Sequence, residues 1–298
     1  MQSAAETNPP GRSSQALGHP PLEGEGTGRN AYVTLVTNTD FAKGATALVR
    51  SLRHSGTKAD IVVMHTGGVG AAELAHVAAM GAMPRAVDLL PTSDAFNARH
   101  AKREIHGRNP FTKGRKPAFH TPLDNFAKLR LWELTEYDRV VFLDADTLVV
   151  KNIDKLFFYP EFSAAPNVYE HLGDFHRLNS GVFVACPSQA TFDGMLTVLD
   201  APDAFWPRTD QSFLQHFFPD WHGLPIFCNM LQYVWFNLPE LWDWNSLSVI
   251  HYQYEKPWET DHPKAERLRP LIELWQAYFD GGQIPDLEDL PGPVKEAR

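Results

Sequence analysis

The sequence has little cysteine, two residues in 298 (Cys186 and Cys228). Two thiols cannot build a disulfide framework, and a zinc site needs more ligands at tighter spacing. Both stand in apolar runs, 183–186 and 225–228, where buried free thiols are the natural reading. Also missing is any run near the roughly 18 apolar residues that a membrane span requires. The first 30 residues are rich in Gly, Pro, Ser and Glu and contain no apolar core segment, so they read neither as a signal peptide nor as an anchor. A cytoplasmic, reducing compartment is the resulting expectation. Positive charge is in deficit, 27 Lys and Arg against 36 Asp and Glu, for a net −9. That argues against a nucleic-acid partner, because basic faces supply most of such affinity. No G-x-G-x-x-G turn follows the first β-rich run, so a nicotinamide dinucleotide is not implied.

What the sequence does contain is a foldable α/β pattern. A length of 298 residues is enough for one large α/β domain or two small ones with a buried core, and a hydrophobic content of 43% marks a globular chain. Residues 1–30 and those from 281 to 298 read as tails around a domain of 31–280. Strands are expected at 31–37 and 61–64, and helices at 41–55 and 71–80. This β-α-β-α order implies a Rossmann-like, mostly parallel central sheet flanked by helices. Asp124 is suited to cap a helix that sets Phe126, Leu129 and Trp132 on one side. The continuous apolar run 139–143 is that of a central strand buried on both faces. A strand at 181–186 and helices at 188–200 and 210–217 follow.

Basic residues concentrate in one place. Between Arg99 and Lys116 there are seven Lys or Arg and one acid, Glu104, inside a flexible basic insertion of about 97–121. A lid over an anionic donor, a docking site for an anionic acceptor and a solvated loop all fit this composition. The aromatic residues Tyr233, Trp235, Phe236, Trp242, Trp244 and Trp258 read first as core packing and second as a sugar-stacking platform.

The chemistry centres on Asp144-Ala145-Asp146, a D-x-D spacing at the end of the 139–143 run. Side chains repeat every two residues along a strand, so both carboxylates are expected on one side, at the strand end where α/β sheets bind ligands. Two carboxylates so close need a cation to stay ionised together, and hard oxygen ligands suit Mg2+ or Mn2+. Capping of the following turn is the alternative for an Asp there. His251, after the apolar stretch 247–250, could add a nitrogen ligand or be a hydrogen-bonded structural residue. Lys256 could offer a positive charge to a phosphate or be a solvated lysine.

Phe142-Leu-Asp-Ala-Asp-Thr147, Asn179-Ser-Gly-Val-Phe-Val184, Thr209-Asp-Gln211 and His251 with Lys256-Pro-Trp258 stand in a revealing order. Together with Tyr32-Val-Thr-Leu-Val-Thr-Asn38 and Phe41-Ala-Lys-Gly44, they resemble the motifs of family 8 retaining glycosyltransferases, especially glycogenin and galactinol synthase, over residues 31–260. The resemblance implies a GT-A fold, Mn2+ dependence and transfer from a UDP-sugar with retention of configuration. It also implies roles. Asp144, Asp146 and His251 match the metal ligands. Thr37, Asn38 and Phe41 match positions around the uracil; Lys128 and Ala145 match donor-site positions. Asn179 and Ser180 match residues beside the transferred sugar, Asp210 and Gln211 the pair nearest the anomeric carbon, and Lys256 the lysine on the β-phosphate. The acceptor it implies is a hydroxyl on a glycan, polyol, lipid-linked or small molecule.

Two departures accompany these matches. Glycogenin has a glycine and one further residue in the loop between the matching His and Lys; residues 252–255 contain no glycine. Its self-glucosylated tyrosine segment has no counterpart either. Among other functions, a nucleotidyltransferase would usually carry a glycine-rich basic phosphate loop near the first strand, and none is present. A silent sugar-nucleotide or glycan-binding protein would have no reason to keep Asp144, Asp146, His251, Asp210 and Gln211 together.

Overall fold

The computed structural model describes residues 28–101, 123–168, 170–201, 209–259 and 261–293. The basic insertion therefore lies almost wholly outside the described residues. Seven strands form the large sheet. They are β1 (Asn30–Val36), β2 (Asp60–His65), β3 (Met83–Ala86), β4 (Arg139–Leu143), β6 (Ser163–Pro166), β7 (Leu178–Ala185) and β8 (His222–Gly223), in the order β3-β2-β1-β4-β7-β6-β8. Strands β3, β2, β1 and β4 are mutually parallel, and β7 runs antiparallel between β4 and β6. The sheet is thus mostly parallel, with one reversed strand inside it. A second, three-stranded sheet, β5-β10-β9, is built from β5 (Thr147–Val149), β10 (Val249–His251) and β9 (Met230–Leu231).

The uninterrupted apolar runs belong to strands covered on both faces. Period-2 alternation divides them. Val33, Leu35, Val140, Phe142 and Phe183 join one buried cluster, and Tyr32, Val36, Val141, Leu143, Val182 and Val184 join the other. Helices α1 (Thr39–His54) and α2 (Ala71–Ala79) cover the second face. Helices α4 (Gln189–Leu199) and α5 (Asp210–Phe217) and a 3-10 helix, Asp124–Glu133, cover the first, after the short α3 (Asp94–Arg99).

The Asp124–Glu133 segment corrects the expected α-helix. Phe126, Leu129 and Trp132 recur every three residues, the period of a 3-10 helix, and all three are fully buried. Leu123 holds the cap position without a side-chain bond, so Asp124 is not the cap. A third cluster surrounds the small sheet and joins α6 (Val234–Asn237) to α7 (Ala265–Asp280). Trp235, Trp242 and Trp244 are buried there, as core packing predicts. The stretch expected as a tail from residue 281 lays Ile284, Leu287 and Leu290 on this cluster, and Trp244 Nε1 donates to Pro291 O at 3.1 Å. Both cysteines are free. Among the described residues, no helix is long and apolar enough to cross a membrane.

Candidate active site

Asp144 and Asp146 do not end one straight strand. The β4–β7 pairing continues to Asp144, whose N–H donates to Gly181 O at 2.8 Å. The chain then turns, with Thr147 N and Oγ1 donating to Asp144 O at 3.0 and 2.8 Å. It leaves the large sheet as β5. The two carboxylates flank a turn that passes the chain from one sheet to the other. Helix α1 sits close beneath this turn because Gly44 has no side chain; a Cβ there would lie 2.3 Å from Ala145 O.

The small sheet supplies the third member. Strand β10 pairs antiparallel with β5, setting His251 opposite Thr147, and Tyr252 N donates to Asp146 O at 2.9 Å. The ligand atoms of Asp144, Asp146 and His251 then lie within 4.8 Å of one another. His251 Nε2 is 3.4 Å from Asp146 Oδ1 and 3.9 Å from Asp144 Oδ2. Its other nitrogen, Nδ1, is 3.0 Å from Asn229 Oδ1, an atom that can only accept. The Nδ1–H therefore donates outward and leaves the Nε2 lone pair facing the carboxylates, the arrangement usual behind a metal-bound histidine. Asn229 Nδ2 in turn donates to Asn179 Oδ1 at 2.8 Å, and Asn179 Nδ2 to Asn167 Oδ1 at 2.9 Å. The donor set, its convergence and this backing fit a divalent cation.

Two lysines flank the carboxylates. Lys128, nearly fully buried, places Nζ 2.9 Å from Asp144 Oδ1, 2.8 Å from Asp210 Oδ2 and 3.1 Å from Ser180 O. Each of its three protons thus has a protein oxygen within hydrogen-bond reach. Burial works against its charge, but Asp144 and Asp210 outweigh that and raise its pKa. On the other flank, Lys256 Nζ pairs with Asp146 Oδ2 and donates to Tyr252 O at 2.8 Å. Burial alone would push the Asp146 carboxyl up, yet Lys256 and His251 hold it well below the usual carboxylate range. Asp144 is raised, by burial first and by Asp146 beside it, against the pull of Lys128. Adding a divalent cation would favour the ionised form of both.

The remaining predicted residues divide into two groups. Asp210 is the first residue of α5, with Thr209 at the cap position, so it is not a helix cap. Its Oδ2 accepts from Ser180 Oγ at 2.9 Å, while Gln211 Oε1 accepts from Ser180 N at 3.3 Å. The 179–180 and 210–211 motifs therefore meet at Lys128. Thr37, Asn38 and Phe41 lie on the Lys256 side. Asn38 caps α1 by accepting from Phe41 N at 3.1 Å, and Thr37 O accepts from Thr66 Oγ1 at 3.0 Å. The Phe41 ring is 5.9 Å from Lys256 Nζ and meets Trp258 edge-on at 6.2 Å.

Sequence reasoning missed Asn167 and Asn229. Each is a lone amide ending or interrupting an apolar run, and such a residue, once buried, needs partners. Gly181 also carries a steric role. A Cβ there would lie 2.3 Å from His251 Cε1 and 2.8 Å from Asn179 Oδ1. Gly181→Ala should displace the imidazole and weaken divalent-cation binding at this site by about 10–100-fold, the range for disturbed metal backing. Calorimetric titration of Mn2+ checks this; unchanged affinity would show that the ring has room to move.

The sequence model of glycosyl transferase family 8 matches residues 32–161. Glycogenin-1 of Homo sapiens is 33% identical over 287 residues, covering 89% of this chain and 76% of that protein. UDP-glucuronate:xylan alpha-glucuronosyltransferase 2 of Arabidopsis thaliana is 31% identical over 240 residues, covering 77% of this chain and 36% of its own length. The chain thus spans about a third of the length of the plant relatives it matches. Among solved structures, the glycosyltransferase GlyE of Streptococcus pneumoniae superposes with a TM-score of 0.59 at 16% identity, covering 88% of this chain and 62% of that one. A galactosyltransferase solved with donor and acceptor sugar analogs gives 0.58 at 17% identity, covering 86% of this chain and 98% of that one. These superpositions establish the GT-A fold.

Proposed function

Because the chain belongs to glycosyl transferase family 8, we propose that it transfers a hexose or uronic acid from a UDP-sugar to a hydroxyl acceptor, with retention and with Mn2+. The observation that carries this reading is the order of charges across the site. Asp144, Asp146 and His251 converge between Lys256 on one side and Asp210 on the other. The bond to be broken joins the anomeric carbon to a UDP oxygen. Its electron pair goes to the diphosphate, while positive charge develops on the sugar.

Asp144, Asp146 and His251 would hold the cation, which when bound offsets the charge of the departing diphosphate. Lys256 adds a second positive charge on that side. Phe41 offers a ring face on the same flank for the base. Asp210, whose Oδ2 is fixed by Lys128 and Ser180, stands as a negative charge for the sugar side, with Gln211 beside it. Lys128 ties the two halves together. Holding Asp144 and Asp210 on one ammonium fixes the distance between the diphosphate end and the sugar end.

The donor panel starts with UDP-glucuronate, because the plant relatives carry that substrate in their names, followed by UDP-glucose and UDP-galactose. UDP release should be stimulated by Mn2+ and abolished by chelator for at least one of them. Calorimetry should detect UDP binding in the presence of Mn2+, and its absence would end this reading.

A further inference from the structure

Lys256 reaches Asp146 only because the chain turns back on itself between His251 and Lys256. Its Nζ donates to Tyr252 O, four residues back, at 2.8 Å. At the apex of that reversal stands Tyr254, with φ 67°, the one non-glycine residue of positive φ among the described residues. A Cβ clashes with the neighbouring carbonyl in this left-handed region, which is why glycine is its usual occupant. The sequence has no glycine there, so something else must hold the conformation.

The side chains around the turn provide it. Tyr254 is buried, 6% exposed, and its ring meets Tyr233 at 5.0 Å and 68°, within a cluster that includes Leu231 and Phe236. The next residue is fixed from the same side. Glu255 accepts from Tyr233 Oη at 2.7 Å and from Lys264 Nζ at 3.1 Å, and its carbonyl accepts from Gln232 Nε2 at 2.9 Å. Tyr254 and Glu255 are thus both drawn toward residues 231–233 and 264. Lys256, the next residue, pairs instead with Asp146.

We propose that Tyr254 is a positioning residue whose buried ring enforces the left-handed turn that delivers Lys256 to the carboxylate pair. The inference rests on the reading of Lys256 as the diphosphate-facing cation. Tyr254 itself touches no reacting atom.

Two substitutions separate the ring from the backbone. Tyr254→Ala removes the ring and keeps the Cβ clash, so the turn should relax and release Lys256. Tyr254→Gly removes the ring but makes the left-handed turn permissible. Both should melt below the wild type, because both lose the same packing. Only the alanine variant should lose UDP affinity in the presence of Mn2+, by on the order of tenfold, about the equilibrium penalty of a left-handed residue. A second readout does not depend on UDP. Lys256 is 5% exposed, so acetic anhydride should modify it slowly in the wild type and in Tyr254→Gly, and several-fold faster in Tyr254→Ala, as read by peptide mass spectrometry.

Equal labelling of Lys256 in the alanine and glycine variants overturns the proposal, as does wild-type UDP affinity in Tyr254→Ala. If the wild type itself binds no UDP with Mn2+, the functional reading falls, and the labelling comparison still decides what Tyr254 does.

Discussion

Asp146→Asn should lower Mn2+-stimulated UDP release by at least about 10²–10³-fold, the usual loss when one charge-stabilising group is removed from a transition state. Asparagine keeps the size and one acceptor oxygen, so the change isolates the charge. Asp146 has the more central position of the two carboxylates. It lies 3.4 Å from His251 Nε2 and pairs with Lys256, and its backbone carbonyl ties the turn to β10 through Tyr252. Without its charge, the cation site keeps at most a neutral oxygen in place of an anionic ligand, and Lys256 loses its counter-ion in the same step. Comparing UDP affinity with and without Mn2+ separates the two consequences. Metal-dependent binding should disappear, while any metal-independent affinity for the diphosphate should be kept or strengthened by the freed lysine. Activity within tenfold of the wild type would falsify the assignment of Asp146 as a metal ligand.

Lys128→Met should have the largest effect on stability. Lys128 is 3% exposed, and its ammonium lies between Asp144 and Asp210, 2.9 and 2.8 Å away, over the ring of Phe142. Methionine fills most of the volume but removes the shared ammonium, leaving Asp210 with the Ser180 hydroxyl alone and Asp144 with the His251 ring nearby. Breaking a buried ionic group by removing one partner costs roughly 3–5 kcal/mol. Urea denaturation of the metal-free proteins measures this directly, and a loss below about 1 kcal/mol would mean that the carboxylates find other partners. Mn2+ should recover more stability in the variant than in the wild type, because a cation at Asp144 replaces part of the missing charge. Arginine is a poor substitute, since its planar fork cannot direct protons at Asp144, Asp210 and Ser180 O as a rotatable ammonium does.

How much of this was legible in the sequence differs from residue to residue. Strand β4 could be read from its uninterrupted apolar run, because a strand covered on both faces has no polar side to show. Its neighbour Asp144-Ala145-Asp146 was legible as a site, but the reason given by strand alternation does not hold. The carboxylates converge through a turn between two sheets, and nothing in a local window announces the second sheet. The 124–133 segment shows the same limit at a smaller scale. A three-residue apolar repeat fits one face of an α-helix over a short stretch, and only packing against the large sheet selects the tighter helix.

Other features depend on contacts across long stretches of chain. The amide relay from His251 through Asn229 and Asn179 to Asn167 joins residues from four separate segments. Each asparagine alone is an ordinary polar residue, and its role exists only when the others are beside it. Tyr254 is a sharper case. The missing glycine is plain in the sequence, yet the left-handed turn persists, because tertiary packing of one ring outweighs a local backbone preference.

The residues proposed to carry the chemistry could therefore be picked out from the sequence itself, in the ordered motifs that place Asp144, Asp146, Asp210, Gln211, His251 and Lys256 along one chain. The positions of β1, β2, β4, β7, α1, α2, α4 and α5 followed too, since hydrophobic periodicity is a local property. The tertiary structure alone decided which charges pair, with Lys128 between Asp144 and Asp210 and Lys256 on Asp146. Electrostatic interaction depends on distance through space, and those distances are set by the pairing of β5 with β10 and by a turn held at Tyr254.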